Sequence, residues 1–172
     1  MNILITGIPA VGKTTVAKEL EKYGFNVYDD KNFITKTNSK EIKEYNHMLK
    51  DVDLISFAKT VNSKINQKSK NIILEGILFP YCLKNLNIKF DYIFILSLSE
   101  KKLRARYKFR NYPEAKILDN LFVQENNLIY KQIIETSNIK QLPIIVEINL
   151  SNNRILNITK IIDIIFSTFS SI

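Results

Sequence analysis

Residues 7–14 read GIPAVGKT and follow directly on the apolar run Ile3, Leu4, Ile5. Every fixed position of the phosphate-binding pattern G-x-x-x-x-G-K-[ST] is present, with the strand before it and the helix after it that the pattern requires. The spacing has a physical origin. A loop hinged on Gly7 and Gly12 that runs into a helix turns successive backbone N–H groups toward one point, where the positive end of the helix dipole reinforces them. Lys13 then reaches the outer phosphates of a bound polyphosphate. Thr14 offers its hydroxyl to the Mg2+ that accompanies a nucleoside triphosphate, and Thr15 adds a second hydroxyl near the inner phosphates. Val16, Leu20 and Tyr23 fall at helical spacing behind the loop, and Gly24 ends that helix.

The rest of the chain is organised around this loop. Apolar and β-branched runs at 3–5, 25–28, 71–74, 92–96 and 143–148 read as buried strands, with helical patterns between them. Strands alternating with helices imply a doubly wound α/β fold, a parallel five-stranded sheet whose ligand sits at the carboxyl ends of its strands. At 172 residues and 45% hydrophobic content the chain suits a single domain spanning 1–172. The segment 32–50 is polar and short on periodicity, and reads as a mobile loop with some helix. Ile155, Ile158, Ile162, Ile165, Phe166 and Phe169 recur at helical spacing and predict a C-terminal helix packed on the sheet. One cysteine, Cys82, excludes an internal disulfide and a multi-cysteine metal site, and suits a reducing, cytoplasmic setting. The first residues carry no basic leader and read as a strand, and no stretch is apolar enough to span a membrane. The net charge of +8 favours polyanionic partners, nucleotides or RNA, although a generally lysine-rich composition would produce the same value.

Three clusters complete the expected site. Glu75 follows Ile72, Ile73 and Leu74 and precedes Gly76, so an acid sits at the tip of a buried strand, placed to hold a Mg2+-bound water beside Thr14. Lys102, Arg106 and Arg110 recur every fourth residue and form one helical stripe, with Leu103 and Tyr107 on another face. Cations at this spacing repel one another unless anions offset them, and a triphosphate is such an anion. Arg110-Asn111-Tyr112-Pro113 then breaks the helix, with Asn111 suited to a left-handed turn. This marks a short lid, about 108–118, whose closure brings Arg106 and Arg110 onto the transferred phosphoryl group. The third cluster, Asp29-Asp30-Lys31, either caps the next helix or contacts the acceptor. His47 has no second metal-type ligand nearby and reads as a surface residue.

With these residues in view, the chain resembles the small adenylate kinase family of archaea and the eukaryotic nucleus, whose members also serve as assembly ATPases of the small ribosomal subunit. Beyond the phosphate loop, the resemblance rests on Arg110-Asn111-Tyr112 followed by Glu114, Lys116, Ile117, Asp119 and Asn120, similar to R-G-Y-x-E-x-K-[IL]-x-[DE]-N, and on Val146-Glu147-Ile148. It implies a P-loop kinase fold with a monophosphate-binding segment at about 30–52. It implies ATP binding by Ala10, Gly12, Lys13, Thr14, Thr15 and Arg110, Glu75 at the Walker B position, and transfer between ATP and a nucleoside monophosphate, AMP foremost. A slower ATPase, a platform protein of the small ribosomal subunit and pre-ribosomal RNA as partners, and a cytoplasmic or nuclear location belong to the same implication.

The sequence departs from that family at defined positions. Two residues past Glu75, where relatives carry a histidine associated with water activation, stands Ile77. The arginine expected for the monophosphate is replaced by Thr35 and Lys36, and lysine supplies a point charge where arginine offers a fork. The lid glycine is Asn111, and a glutamate beyond it is Gln124. The expectation is an ATP- and Mg2+-dependent monophosphate kinase in which Lys13, Glu75, Arg106 and Arg110 act on the transferred group, and Asp29, Lys31 and Lys36 meet the acceptor. Two rivals remain: a nucleotide-switched assembly factor with vestigial kinase activity, and a kinase of another small alcohol or nucleoside with Asp29 as base.

Overall fold

The computed structural model describes residues 1–44, 47–66, 70–137, 142–151 and 153–167, without the side chains of 44, 47–49 and 154. Five strands, β1 (Asn2–Thr6), β2 (Asn26–Asp29), β5 (Ile72–Glu75), β6 (Tyr92–Ser97) and β7 (Ile144–Asn149), form a sheet in the order β2-β5-β1-β6-β7. Every pair in it is parallel. Parallel strands covered on both faces need apolar residues at successive positions, not alternate ones. Ile3, Leu4 and Ile5 in β1, Ile73 and Leu74 in β5, and Ile93 and Phe94 in β6 accordingly have no exposed surface.

The chain leaves β1 toward β2 on one side and reaches β6 on the other. The carboxyl end of β1 is therefore the switch point of the sheet, where parallel α/β folds open a crevice for ligands. Its helices are α1 (Lys13–Glu21), α2 (Leu54–Lys64), α3 (Glu100–Phe109), α4 (Glu114–Glu125), α5 (Leu128–Thr136) and α6 (Arg154–Ser167). Asp53 caps α2, its carboxylate accepting from the Ile55 and Ser56 N–H groups at 2.9 and 3.2 Å. Phe33, Phe57 and Phe79 pack as a buried cluster with ring centroids 5.5–6.2 Å apart. The cluster ties the loop after β2 to α2 and to the segment after β5.

The structure corrects two expectations. Residues 39–44 and 47–52 pair as two antiparallel strands, β3 (Ser39–Glu44) with β4 (His47–Val52), and not a loop with some helix. The pair carries no apolar alternation because its described side chains are largely exposed. Charge pairing replaces it: Lys40 lies opposite Asp51, with Nζ to Oδ2 at 3.5 Å, and Glu41 opposite Lys50. Tyr23 lies beyond the end of α1, whose buried stripe is Val16, Ala17 and Leu20. It is half exposed and meets the Phe166 ring of α6 at 6.4 Å. The C-terminal helix is present, and Ile158, Ile161 and Ile165 are its buried stripe while Ile155 faces outward. Phe169 lies outside the described residues, as does the His47 side chain. Cys82 is buried, and loss of solvent pushes its thiol up to about 12. Among the described residues, no helix is long and apolar enough to cross a membrane.

Candidate active site

The loop 7–12 joins β1 to α1. Gly7 adopts φ 140°, and a Cβ there would overlap the Leu96 carbonyl oxygen of β6, so no other residue fits this turn. Each carbonyl of the loop finds a partner. Lys13 Nζ donates to the Gly7 and Ile8 oxygens at 2.9 and 3.1 Å. The Tyr107 hydroxyl donates to Pro9 O at 2.9 Å, and Arg106 Nη1 donates to Ala10 O and Val11 O at 2.7 and 3.0 Å. Gly12 O accepts from the Thr15 and Val16 N–H groups of α1.

The Lys13 ammonium is enclosed by this loop, although the residue as a whole keeps some exposure. Desolvation lowers it to about 8, against the opposing pull of Glu75, Asp30 and Asp29; Arg110 adds to the lowering. Arg110 lines the same cleft as Ala10, Val11 and Gly12 of the loop. Thr14 and Thr15 are exposed at the start of α1.

Glu75 ends β5 between Ile5 of β1 and Asp29 of β2. Burial raises its carboxyl above the usual range, the Thr14 hydroxyl that donates to it pulls the other way, and the Asp29 charge adds to the rise. A threonine hydroxyl and a carboxylate that meet beside a phosphate loop are hard oxygen donors, a set that fits Mg2+. Asp29 realises the capping alternative. Its carboxylate accepts from Lys31 N–H at 2.8 Å, and its own N–H donates to Asn32 Oδ1 at 2.7 Å, closing a capping box on the short turn Asp30–Asn32. Burial opposes its ionisation, but the Lys31 N–H and the Asp30 side chain outweigh it and hold Asp29 below the usual range.

Asp30, the middle residue of the Asp29-Asp30-Lys31 cluster, takes a role of its own. It is buried, and its Oδ2 accepts from the Ile77 and Leu78 N–H groups at 2.9 and 3.4 Å. Burial and the neighbouring Asp29 raise its carboxyl. A Cβ on Gly76 would overlap this carboxylate, which explains the glycine after Glu75. From the other side, the Thr6 hydroxyl donates to Gly76 O at 2.9 Å. The segment that carries Glu75 is thus held by β1 and by β2 at once.

The remaining expected residues are more dispersed. Lys31 is exposed, with Nζ 3.9 Å from Asp29 Oδ2. Lys36 is exposed on the loop before β3, while buried Asn38 shapes that loop by accepting from Thr35 N–H and donating to Phe33 O. Arg106 departs from the role drawn from its stripe: its Nη1 is taken up by loop carbonyls. Together with Arg110 it lines a cleft of about 370 Å³, whose walls include Gly12, Thr15, Leu150 and Asn157. Residues 108–118 comprise the end of α3, the turn at Asn111, where φ is 54°, and the first turn of α4.

Comparison with known proteins bears on the family and the fold. The AAA domain family matches residues 3–133. A Methanocaldococcus jannaschii protein named "Putative adenylate kinase" is 35% identical over 130 residues, 70% of this chain and 65% of that protein, so the match spans less than two thirds of the relative's length. A Thermococcus kodakarensis protein of the same name is 29% identical over 138 residues, 78% of this chain and 71% of its own. Among solved structures, deoxyadenosine kinase from M. mycoides with bound dATP superposes with a TM-score of 0.54 at 18% identity, over 96% of this chain and 99% of that one. Shikimate kinase from Acinetobacter baumannii in complex with shikimate gives 0.54 at 19% identity, over 97% and 93%. The fold is that of a P-loop nucleoside monophosphate kinase, a five-stranded parallel sheet flanked by helices.

Proposed function

Because this chain belongs to the AAA domain family, we propose that it is an ATP-dependent nucleoside monophosphate kinase with AMP as its acceptor. The observation that carries the reading is the phosphate loop itself, closed by Lys13 on its own carbonyls, with Glu75 at the end of the adjoining strand and Arg110 in the cleft that Gly12 and Thr15 line. The relatives named as adenylate kinases support the choice of acceptor.

In this reading the loop N–H groups and Lys13 hold the donor phosphates, and the base and ribose of ATP enter the cleft between Arg106, Arg110 and Leu150. Thr14 and Glu75 would hold Mg2+, which neutralises charge on the phosphates when bound. Arg110 stabilises the charge that spreads over the transferred group, and no protein nucleophile is needed. The acceptor lies toward the end of β2 and the loop with Lys36. Ile77, exposed where an ATPase would use a proton acceptor, favours transfer over hydrolysis and speaks against the assembly-factor alternative.

One observation favours a second reading, a kinase of a hydroxyl acceptor: Asp29 is ionised and partly exposed beside Glu75, as a general base would be. A steady-state assay with ATP and a panel of nucleoside monophosphates, nucleosides and small polyols separates the two. Turnover with AMP that Lys13→Ala abolishes is the expected result. Turnover confined to nucleosides or polyols would transfer the conclusion to the second reading, and wild-type rates in Lys13→Ala would end both.

A further inference from the structure

The geometry points to Tyr107 as a positioning residue that sets the shape of the phosphate loop and ties it to the lid turn. This inference rests on the ATP reading above and goes beyond it, because Tyr107 touches neither the phosphates nor the cleft.

The ring of Tyr107 is buried among the side chains beneath α3, a place any aromatic residue could fill. Its hydroxyl is the part that packing does not require. It reaches back across the chain to donate to Pro9 O at 2.9 Å. In a trans peptide the C=O and the following N–H point in opposite directions. Holding the Pro9 carbonyl toward α3 therefore directs the Ala10 N–H away from α3. By the same rule, Arg106 on Ala10 O and Val11 O directs the Val11 and Gly12 N–H groups. One turn of α3 orients three successive donors of the loop.

The neighbouring backbone makes this hold necessary. Ala10 sits at φ 64°, a left-handed conformation that costs a residue with a Cβ of order 1–2 kcal/mol. Rotation of the Pro9–Ala10 peptide would release that strain and turn the Ala10 N–H out of line. The polar groups of this peptide are the Pro9 carbonyl and the Ala10 N–H, and the carbonyl is the one that the Tyr107 hydroxyl holds. The Tyr107 hydroxyl is the group that opposes the rotation.

Tyr107 also faces the lid. Asn111 reverses the chain, and Tyr112 folds back to stack on Tyr107 with centroids 5.2 Å apart and planes at 12°, its N–H donating to Tyr107 O at 3.0 Å. The Lys116 ammonium covers the outer side of Tyr112 at 4.3 Å. Arg110 is carried on the turn between the two stacked rings, so the same side chain that orients the loop sets the base from which Arg110 reaches it.

The test is Tyr107→Phe, which keeps the ring, the packing and the stack. Titration calorimetry with MgATP is expected to show binding about fivefold weaker than wild type, the loss of one partly buried hydrogen bond. KM for the acceptor and the melting temperature without nucleotide should change little. Ala10→Gly in the Tyr107→Phe background should recover part of the ATP affinity, because glycine holds this φ without strain. A residue that only packs predicts neither the loss nor the rescue. Equal ATP affinity in Tyr107→Phe and wild type would overturn the positioning role while leaving the kinase reading intact, whereas a wild type that does not bind ATP overturns both.

Discussion

Lys13 donates to two loop carbonyls with its ammonium near 8, while in the unfolded chain it would titrate near 10.5. Between those values the unfolded chain holds the proton more tightly. The cost of burying the cation is therefore complete below about pH 8 and disappears as pH rises toward 10.5. Phosphates beside Lys13 favour its charged form and raise its pKa again. Nucleotide binding at about pH 9 is thus expected to take up close to one proton, with affinity falling as pH climbs through 8. Calorimetry in two buffers of different ionisation enthalpy reads this uptake directly, and an equal uptake by Lys13→Ala would assign it to another group. A second single residue, Gly76, owes its identity to the Asp30 carboxylate against it. Gly76→Ala is expected to cost about 1–3 kcal/mol in urea unfolding, and markedly less in an Asp30→Gly background, which removes the Cβ as well as the carboxylate that the new methyl would meet. Lys13 and Thr14 could be singled out in the chain because their spacing within the loop is itself the chemical requirement, and Glu75 because it ends a short apolar run. The role of Asp30 could not be, because its partners, the N–H groups of Ile77 and Leu78, lie 47 and 48 residues away.

Elements followed the same division. The central strands β1, β5 and β6 were legible because burial on both faces writes a continuous apolar run, and the partly exposed edge strands β2 and β7 because they keep apolar and β-branched residues, whereas the exposed strands 39–44 and 47–52 set charged residues opposite one another and leave no such run. The end of α1 was misplaced onto Tyr23 because that residue continues the helical spacing and packs against α6 only in the folded molecule. Gln124 of α4 is a further case. Its side-chain amide accepts from Leu98 N–H at 3.1 Å and donates to Leu98 O at 2.9 Å, fixing the connection between β6 and α3. A glutamate there, as the resembling family carries, could accept but not donate, and would set a carboxylate oxygen against the Leu98 carbonyl. Gln124→Glu is expected to lower stability by about 1–3 kcal/mol, while Gln124→Met should lose less than that because it adds no repulsion. Denaturant midpoints of the three proteins check this; a glutamate variant as stable as wild type would mean that the connection does not depend on the amide.

At the scale of the molecule, Glu75 lies where two differently built halves meet. On the side proposed for the donor, the loop, α3 and the turn at Asn111 are joined by partly buried hydrogen bonds and a ring stack. On the side proposed for the acceptor, an exposed pair of strands joins the body near its base, where Asp53 N–H donates to Asn38 O at 2.9 Å. A pair of exposed strands is marginal alone, so its amides should open at free energies well below that of global unfolding. Ligands that bind the native state suppress opening where they make contact. Amide exchange followed by mass spectrometry is therefore expected to separate the halves. ATP should slow exchange in 7–16 and 106–112 and leave the strand pair nearly unchanged, whereas AMP should slow exchange in 30–44 and 50–52. Both ligands together should extend protection to 75–78, since the Asp30 carboxylate links that segment to the end of β2. If AMP protects the donor side alone, the segment 30–52 is not the acceptor site, and Lys31 and Lys36 are surface cations with no part in binding.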